Sequence, residues 1–315
     1  MKYSTKKKKI MFNLTQPHGD KLAALLDNVK LPHTDKRRVN QAIEYYKKWL
    51  ETLKNIRGDD LKVVPEMVSH LTSYKRYIDV ELIFDSDNDF LYRQKGQLKL
   101  DNSIIEEFIP ILVTTVFADS LKDKELSFGP TQCFSSLRFE SSLKLSPKGG
   151  GMSIRAKDQD FAISRKIFIK ASHNQDFKET TSREANIAYV AAECKTNLDK
   201  TMFQEGAATA LDVKLSVPGA KYFLLCEWLD MSPISSSLTA IDEILILRKA
   251  KRLSSNIRSA FSTVNGRKKN KDFFVNHLDN NPFAPEVFMR FLSEIEGMIG
   301  KDELDEDDVL SRGYF

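Results

Sequence analysis

Histidine and cysteine are scarce, and their scarcity removes whole classes of chemistry. The 315 residues hold five histidines, His18, His33, His70, His173 and His277. They are scattered, which disfavours a histidine–metal nuclease centre. Three cysteines, Cys133, Cys194 and Cys226, stand far apart. They offer neither zinc spacing nor a disulfide framework. Buried free thiols in a reducing cytoplasm are the expectation. No GxxxxGK[ST] loop is present, so no nucleotide-driven translocation is expected. A GxSxG elbow and a methyltransferase-like glycine motif are also missing. The longest apolar stretch, "FIPILVTTVFA", is about half of what a membrane-spanning helix needs. The N-terminus is basic without an apolar core segment, so it is no secretory signal.

What is present is core-forming and unevenly charged. Apolar residues make up 41% and include 20 phenylalanines, enough for one large or two modest domains. The net charge of +4 hides basic clusters at residues 6–9, 36–38, 248–252 and 267–271. The acids gather in the tail "KDELDEDD". Each basic run reads as a solvated face, or together they meet a polyanionic partner.

Apolar spacing predicts a helix over residues 33–57 with Gly58 at its stop, and a second over 65–84 opened by proline. "DNDFLYRQKGQLKL" alternates as a strand or hairpin would. Asp101 is placed to cap a following helix, within which Pro110 should introduce a kink. Turns and short strands follow, with a loop at Gly149, Gly150 and Gly151. Strands are expected at 160–171 and 187–195, a helix at 198–213, then strands in "KYFLLCEWL" and "IDEILILRK". The remainder reads as helical. Three regions result: a helical N-terminal region, 1–85; a mixed strand-and-helix domain, 86–300; and an acidic flexible tail, 301–315. The alternation of strands and helices from about residue 85 argues for an α/β (α+β) fold, a mixed sheet flanked by helices.

One stretch resists a purely structural reading. "NIAYVAAECK" is apolar on both faces and ends in Glu193 and Lys195, which share a strand face with Tyr189 and Ala191. An unpaired charge buried there would cost several kcal/mol, so the pair has partners or a ligand. A simple Glu–Lys ion pair is one solution. The other uses Asp160, at the start of the preceding strand, brought near by antiparallel pairing. Two carboxylates with an open position suit Mg2+ and a phosphate, and the Cys194 carbonyl is a further candidate ligand. The lysine would orient water and offset charge in phosphodiester hydrolysis. The separation of Asp160 from Glu193, 193 − 160 = 33, is long. Asp176 gives a shorter 193 − 176 = 17 but lies in a polar connection, and Asp158 is a further alternative.

"AECKTNLDKTMFQEGAATALDVKLSVPGAKYFLLCEWLDMSP" and "IDEILILRKAKRL" resemble the type II restriction endonucleases of the Bpu10I type, as do "FLYRQKGQLKLDNSIIEEFIP" and "KDQDFAIS". The resemblance spans roughly residues 90–295. It implies the PD-(D/E)xK nuclease fold and Mg2+-dependent cutting of double-stranded DNA at a short defined site. The motif maps onto Glu193 and Lys195, and onto Asp160 although no proline precedes it. It further implies a second, non-identical homologous subunit, each subunit cutting one strand, and a separate DNA methyltransferase.

Within that frame Glu106 or Glu107 would be an additional acid at the metal site, or a solvent-facing pair. Gln204 and Glu205 would help close the site. Arg248, Lys249, Lys251, Arg252, Arg267, Lys268 and Lys269 would contact phosphates. Two other readings stay open: a same-fold nuclease for repair or mobile-element excision, and a DNA-binding subunit that no longer cleaves.

Overall fold

The computed structural model describes residues 14–58, 60–121, 124–142, 147–299 and 306–313. The basic cluster at residues 6–9 and residues 301–305 and 314–315 of the acidic tail lie outside them. The described part of that tail, Glu306–Arg312, is helical.

The described residues begin with three helices: α1 (Pro17–Leu26), α2 (His33–Asn55) and α3 (Val64–Tyr77). In α2 the buried Val39, Ala42, Tyr46, Trp49, Leu50 and Leu53 recur at helical spacing, as the sequence predicts. Pro65 sits in the first turn of α3, where a missing N–H is harmless. α3 then passes into a π-helical segment, Ile78–Phe84.

The next segment departs from expectation. "DNDFLYRQKGQLKL" is neither strand nor hairpin but a short helix, α4 (Phe90–Gln94), followed by successive turns. Local bonds such as Leu98 N–H to the Gln94 carbonyl and Leu100 N–H to the Lys95 carbonyl coil the chain. That coiling buries Leu91 and Leu100 completely, which alternation would not. Nor does Asp101 cap the next helix, α5 (Ser103–Val116). Its N-cap is Asn102, with no side-chain cap bond. α5 runs on through Pro110 and buries thirteen of its fourteen residues, so it is a central element rather than an amphipathic cover. A single turn, α6 (Ala118–Leu121), follows.

The sheet has five strands in the order β1-β2-β3-β4-β5. They are β1 (Ser127–Arg138), β2 (Ser153–Ser172), β3 (Thr180–Leu198), β4 (Lys221–Leu229) and β5 (Glu243–Ile246). β1, β2 and β3 pair antiparallel in sequence, whereas β4 joins β3, and β5 joins β4, in parallel. The β3–β4 crossover carries α7 (Lys200–Ser216). Parallel neighbours need such a crossover. The remaining helices are α8 (Ser255–Ala260), α9 (Val264–Lys269), α10 (Lys271–Asn280), α11 (Pro285–Ile299) and α12 (Glu306–Arg312).

Side-chain alternation gives the sheet two covered faces. Phe161, Val190, Ala192, Cys194, Phe223 and Leu225 join one apolar cluster with α1, α2, α3, α5 and α11. Ala162, Ala188, Ala191, Tyr222 and Leu224 face α7 in another. Gly206 lets α7 approach closely, since a Cβ there would stand 2.7 Å from a Leu224 methyl. The fold is α+β, a mixed sheet between helical layers. Two expectations about strands change. β2 begins at Ser153, so Asp160 lies in mid-strand rather than at a strand start. A bulge pairs Ile163 with Val190 and Ser164 with Ala188, leaving Tyr189 as the extra residue.

Candidate active site

The antiparallel β2–β3 register ends with Phe161 opposite Ala192, and the next residue of each strand, Asp160 and Glu193, falls by alternation on the α7-facing side. Asp160 Oδ2 accepts the Cys194 N–H at 2.9 Å. Glu193 is held at both oxygens: Oε1 accepts the Tyr222 hydroxyl at 2.8 Å, and Oε2 lies 2.9 Å from Lys195 Nζ. The Lys195 side chain remains 26% exposed, so its ammonium reaches the open edge of the site.

The Cys194 thiol turns the other way, into the larger core. Its carbonyl stays at the site and accepts Asn102 Nδ2–H at 2.9 Å. Asn102 Nδ2 also donates to Glu106 Oε1 at 2.8 Å. Both partners are acceptors there, so the amide must present its nitrogen to them. Its Oδ1 is then left buried with no hydrogen-bond partner. Lys99 Nζ stands 3.8 Å from the same Glu106 oxygen.

Burial raises the Asp160 pKa above its ordinary value, and the Glu193 charge adds to it; the Cys194 N–H, Lys99 and Lys195 oppose the rise. Glu106 is also raised, by burial first and by Asp160 second. Burial pulls the Lys195 ammonium down, but Glu193, Asp160 and Glu205 outweigh it and its pKa ends above the ordinary value. The site therefore concentrates negative charge that the protein does not fully neutralise, a setting that favours a cation.

The other sequence candidates divide clearly. Glu106 belongs to the site and Glu107 does not. Glu107 faces the N-terminal helices, accepting the His18 and Gly19 N–H groups at 2.8 and 3.3 Å and the Tyr46 hydroxyl at 2.6 Å. It holds the start of α1. Adjacent residues on a helix point about 100° apart, so one serves each side. Gln204 and Glu205 are exposed on α7, and only Glu205 acts on Lys195. Asp158 is exposed. Asp176 sits in the turn between β2 and β3, paired with Lys178 at 2.7 Å.

Two of the proposed phosphate-binding arginines are interior. Arg248 is 3% exposed, bonded to Glu227 at 2.8 Å and to the Asn281 carbonyl at 2.6 Å. Its guanidinium lies over Phe283, 4.0 Å from the ring centre. Arg267 is 1% exposed and donates to the carbonyls of Phe84, Phe261, Ser86 and Asn88, with Asp89 at 3.1 Å. Both are structural cations whose guanidinium groups are buried away from any surface that DNA could meet. Lys249, Lys251, Lys268 and Lys269 are exposed and Arg252 half-buried.

Sequence reading missed Tyr222, Asn102 and Lys99. Tyr222 is the one hydroxyl in the apolar run "KYFLLCEWL", which is a usable signal. Asn102 reads as a helix start and Lys99 as a loop lysine, so neither carries one.

Among the described residues no three His, Cys, Asp or Glu side chains gather to hold a metal ion. The donor set here is two carboxylates and a backbone carbonyl. Hard oxygen donors in that number fit Mg2+, which keeps several waters and is completed by substrate phosphate. No helix among the described residues is long and apolar enough to cross a membrane.

The solved structure described as the native BbvCI A2B2 tetramer at low resolution superposes with a TM-score of 0.51 at 19% identity, over 83% of this chain and 95% of that one. That likeness is one of fold. No curated protein sequence matches the chain. The family description for the Bpu10I restriction endonuclease matches residues 97–315, well over half of the sequence and all of the site. This chain belongs to the Bpu10I restriction endonuclease family and is a type II site-specific deoxyribonuclease.

Proposed function

We propose that this chain is one subunit of a Mg2+-dependent restriction endonuclease and cuts one strand of double-stranded DNA at a short defined site. The observation that carries this is Asp160 bonded to the Cys194 N–H at 2.9 Å, next to Glu193, with Lys195 bonded to Glu193 at 2.9 Å. Asp160, Glu193 and the Cys194 carbonyl would hold Mg2+, which when bound supplies Lewis-acid polarisation of the phosphate and acidifies a water. Lys195 orients the attacking water and offsets the charge that develops on phosphorus. Tyr222 fixes the carboxylate of Glu193 so that it presents one geometry. Asn102 ties the start of α5 to the Cys194 carbonyl and holds Glu106 beside the site.

Each chain carries one such site, and a duplex has two scissile phosphates. A second, non-identical homologous subunit would cut the other strand of an asymmetric site, since a two-fold pair presents identical surfaces to unlike half-sites. The A2B2 composition stated for the BbvCI structure supports this reading. A separate DNA methyltransferase would protect host DNA, and the setting is the cytoplasm. The region 1–85 serves as a DNA-binding or subunit-contact arm. In support, Lys36, Arg37, Arg38 and Lys48 line an open groove of about 910 Å³ there. The exposed Lys249, Lys251, Lys268 and Lys269 and the half-buried Arg252 would add phosphate contacts, positioning DNA rather than reading it.

The test is to incubate the chain with plasmid DNA and Mg2+, with and without the product of its neighbouring homologous gene. Discrete fragments are expected only when both subunits and the metal are present. Random degradation, or no cleavage under any combination, would reject the reading.

A further inference from the structure

Lys99 lies in the turns that lead into α5, and its backbone is in the left-handed region at φ +50°. A residue with a Cβ stays there only when its surroundings over-determine it. Here they do. The Lys99 N–H donates to the Gly96 carbonyl at 3.1 Å. Its carbonyl accepts both the N–H of Ser103, at 3.2 Å, and the Ser103 hydroxyl, at 2.6 Å. Ser103 is fully buried and its Oγ is also met by His18 Nδ1 at 3.0 Å. The backbone of Lys99 is thus pinned from the core side, while its side chain leaves toward the site.

There the ammonium stands 3.8 Å from Glu106 Oε1, beyond hydrogen-bond reach. That oxygen already has Asn102 at 2.8 Å. Lys99 also acts on the charge of Asp160. Its side chain is 53% exposed where that of Glu106 is 6%. The arrangement is a half-exposed cation beside the buried Glu106 and the half-buried Asp160, hydrogen-bonded to neither. A turn that needed only left-handed backbone would be better served by glycine.

We propose that Lys99 is a second lysine of the active site, whose ammonium contacts a non-bridging oxygen of a phosphate in the bound strand on the Glu106 side, as Lys195 stands on the Glu193 side. This rests on the nuclease reading above, since the contact needs a DNA phosphate at the site. It gives the start of α5 a substrate-binding role besides its role in packing.

The test separates the ammonium from the backbone. Lys99→Gly keeps the left-handed turn and removes the charge, and Lys99→Arg keeps the charge. Duplexes carrying the mapped cleavage site are prepared with single neutral methylphosphonates at successive positions around the cut. Binding is read without metal across a salt series, and single-turnover cleavage is read with Mg2+ and the partner subunit. Lys99→Gly should lower the log–log salt slope by about 0.9 and slow cleavage about 100-fold, with Lys99→Arg recovering most of the loss. One methylphosphonate that harms the unaltered enzyme should have no further effect on Lys99→Gly. Additive losses at every position, or unchanged binding and cleavage by Lys99→Gly, would overturn the proposal while leaving the nuclease reading intact. An unaltered enzyme that fails to cut would remove both.

Discussion

Tyr222 donates its hydroxyl to Glu193 Oε1 at 2.8 Å, and the two residues come from parallel neighbouring strands. β4 pairs Ala191 with Tyr222 and Glu193 with Leu224, so Tyr222 reaches diagonally toward the carboxylate from one step back. The tyrosine is fully buried and its pKa is raised by burial and by the Glu193 charge, so it stays a donor at any working pH. A buried hydrogen bond to a charged group contributes about 1.5–3 kcal/mol. Tyr222→Phe should therefore lower stability by an amount in that range and slow cleavage about 10-fold, measured by urea unfolding and single-turnover assay. A variant that unfolds at the wild-type midpoint and cuts at the wild-type rate would dismiss the contact as incidental.

Asp160 has a sign that can be worked out. Its folded pKa is raised from 3.8, so the native state binds this proton more tightly than the unfolded chain does. The charged carboxylate weakens the fold at neutral pH, and that penalty is relieved as pH falls through the raised folded value. Asp160→Asn should raise Tm at pH 7 by about 1–4 °C and abolish cleavage, with the gain in Tm fading toward pH 4. Wild-type cleavage should fall as pH drops through the raised Asp160 pKa, because Asp160 must be ionised to hold the metal. Scanning calorimetry at several pH values is the check, and a gain that grows on acidification would contradict the assignment.

Away from the site, Lys75, Asp79, Glu227 and Arg248 form a buried chain of charges. Lys75 Nζ lies 2.5 Å from Asp79 and 3.3 Å from Glu227, and Glu227 lies 2.8 Å from Arg248. Removing one member strands its partners without water. Glu227→Ala should cost about 3–5 kcal/mol. Glu227→Gln, which keeps the shape and part of the bonding, should cost less. Chemical denaturation of both variants decides this, and equal small losses would show that the network is dispensable.

The division of labour between subunits predicts a strand-specific outcome. Glu193→Ala assembled with an unaltered partner should nick one fixed strand instead of breaking both. Duplexes labelled on one end of each strand reveal which is cut. Cleavage of both strands by that mixed assembly, or full specific cutting by this chain alone, would show the pairing to be wrong.

The sequence by itself determined the strong local patterns. The apolar spacing of α2, the two-sided apolar runs of β3 and β4, and the isolated Glu193–Lys195 pair are all dictated by periods of 3.6 and 2 acting within one element. The mixed α+β architecture followed from their order. Tertiary structure decided which groups meet. Only the pairing of β2 with β3 brings Asp160 to the Cys194 N–H beside Glu193, only the parallel β4 brings Tyr222 to Glu193, and only the placement of α5 brings Asn102 and Lys99 to the site. It also separated Glu106 from Glu107 and drew Arg248 and Arg267 inside, where carbonyls and carboxylates distant in sequence satisfy them. "DNDFLYRQKGQLKL" coils because burying Leu91 and Leu100 against the rest of the core outweighs its alternation. Local propensity extends over a few residues, whereas partners, burial and charge compensation depend on contacts made across the whole fold.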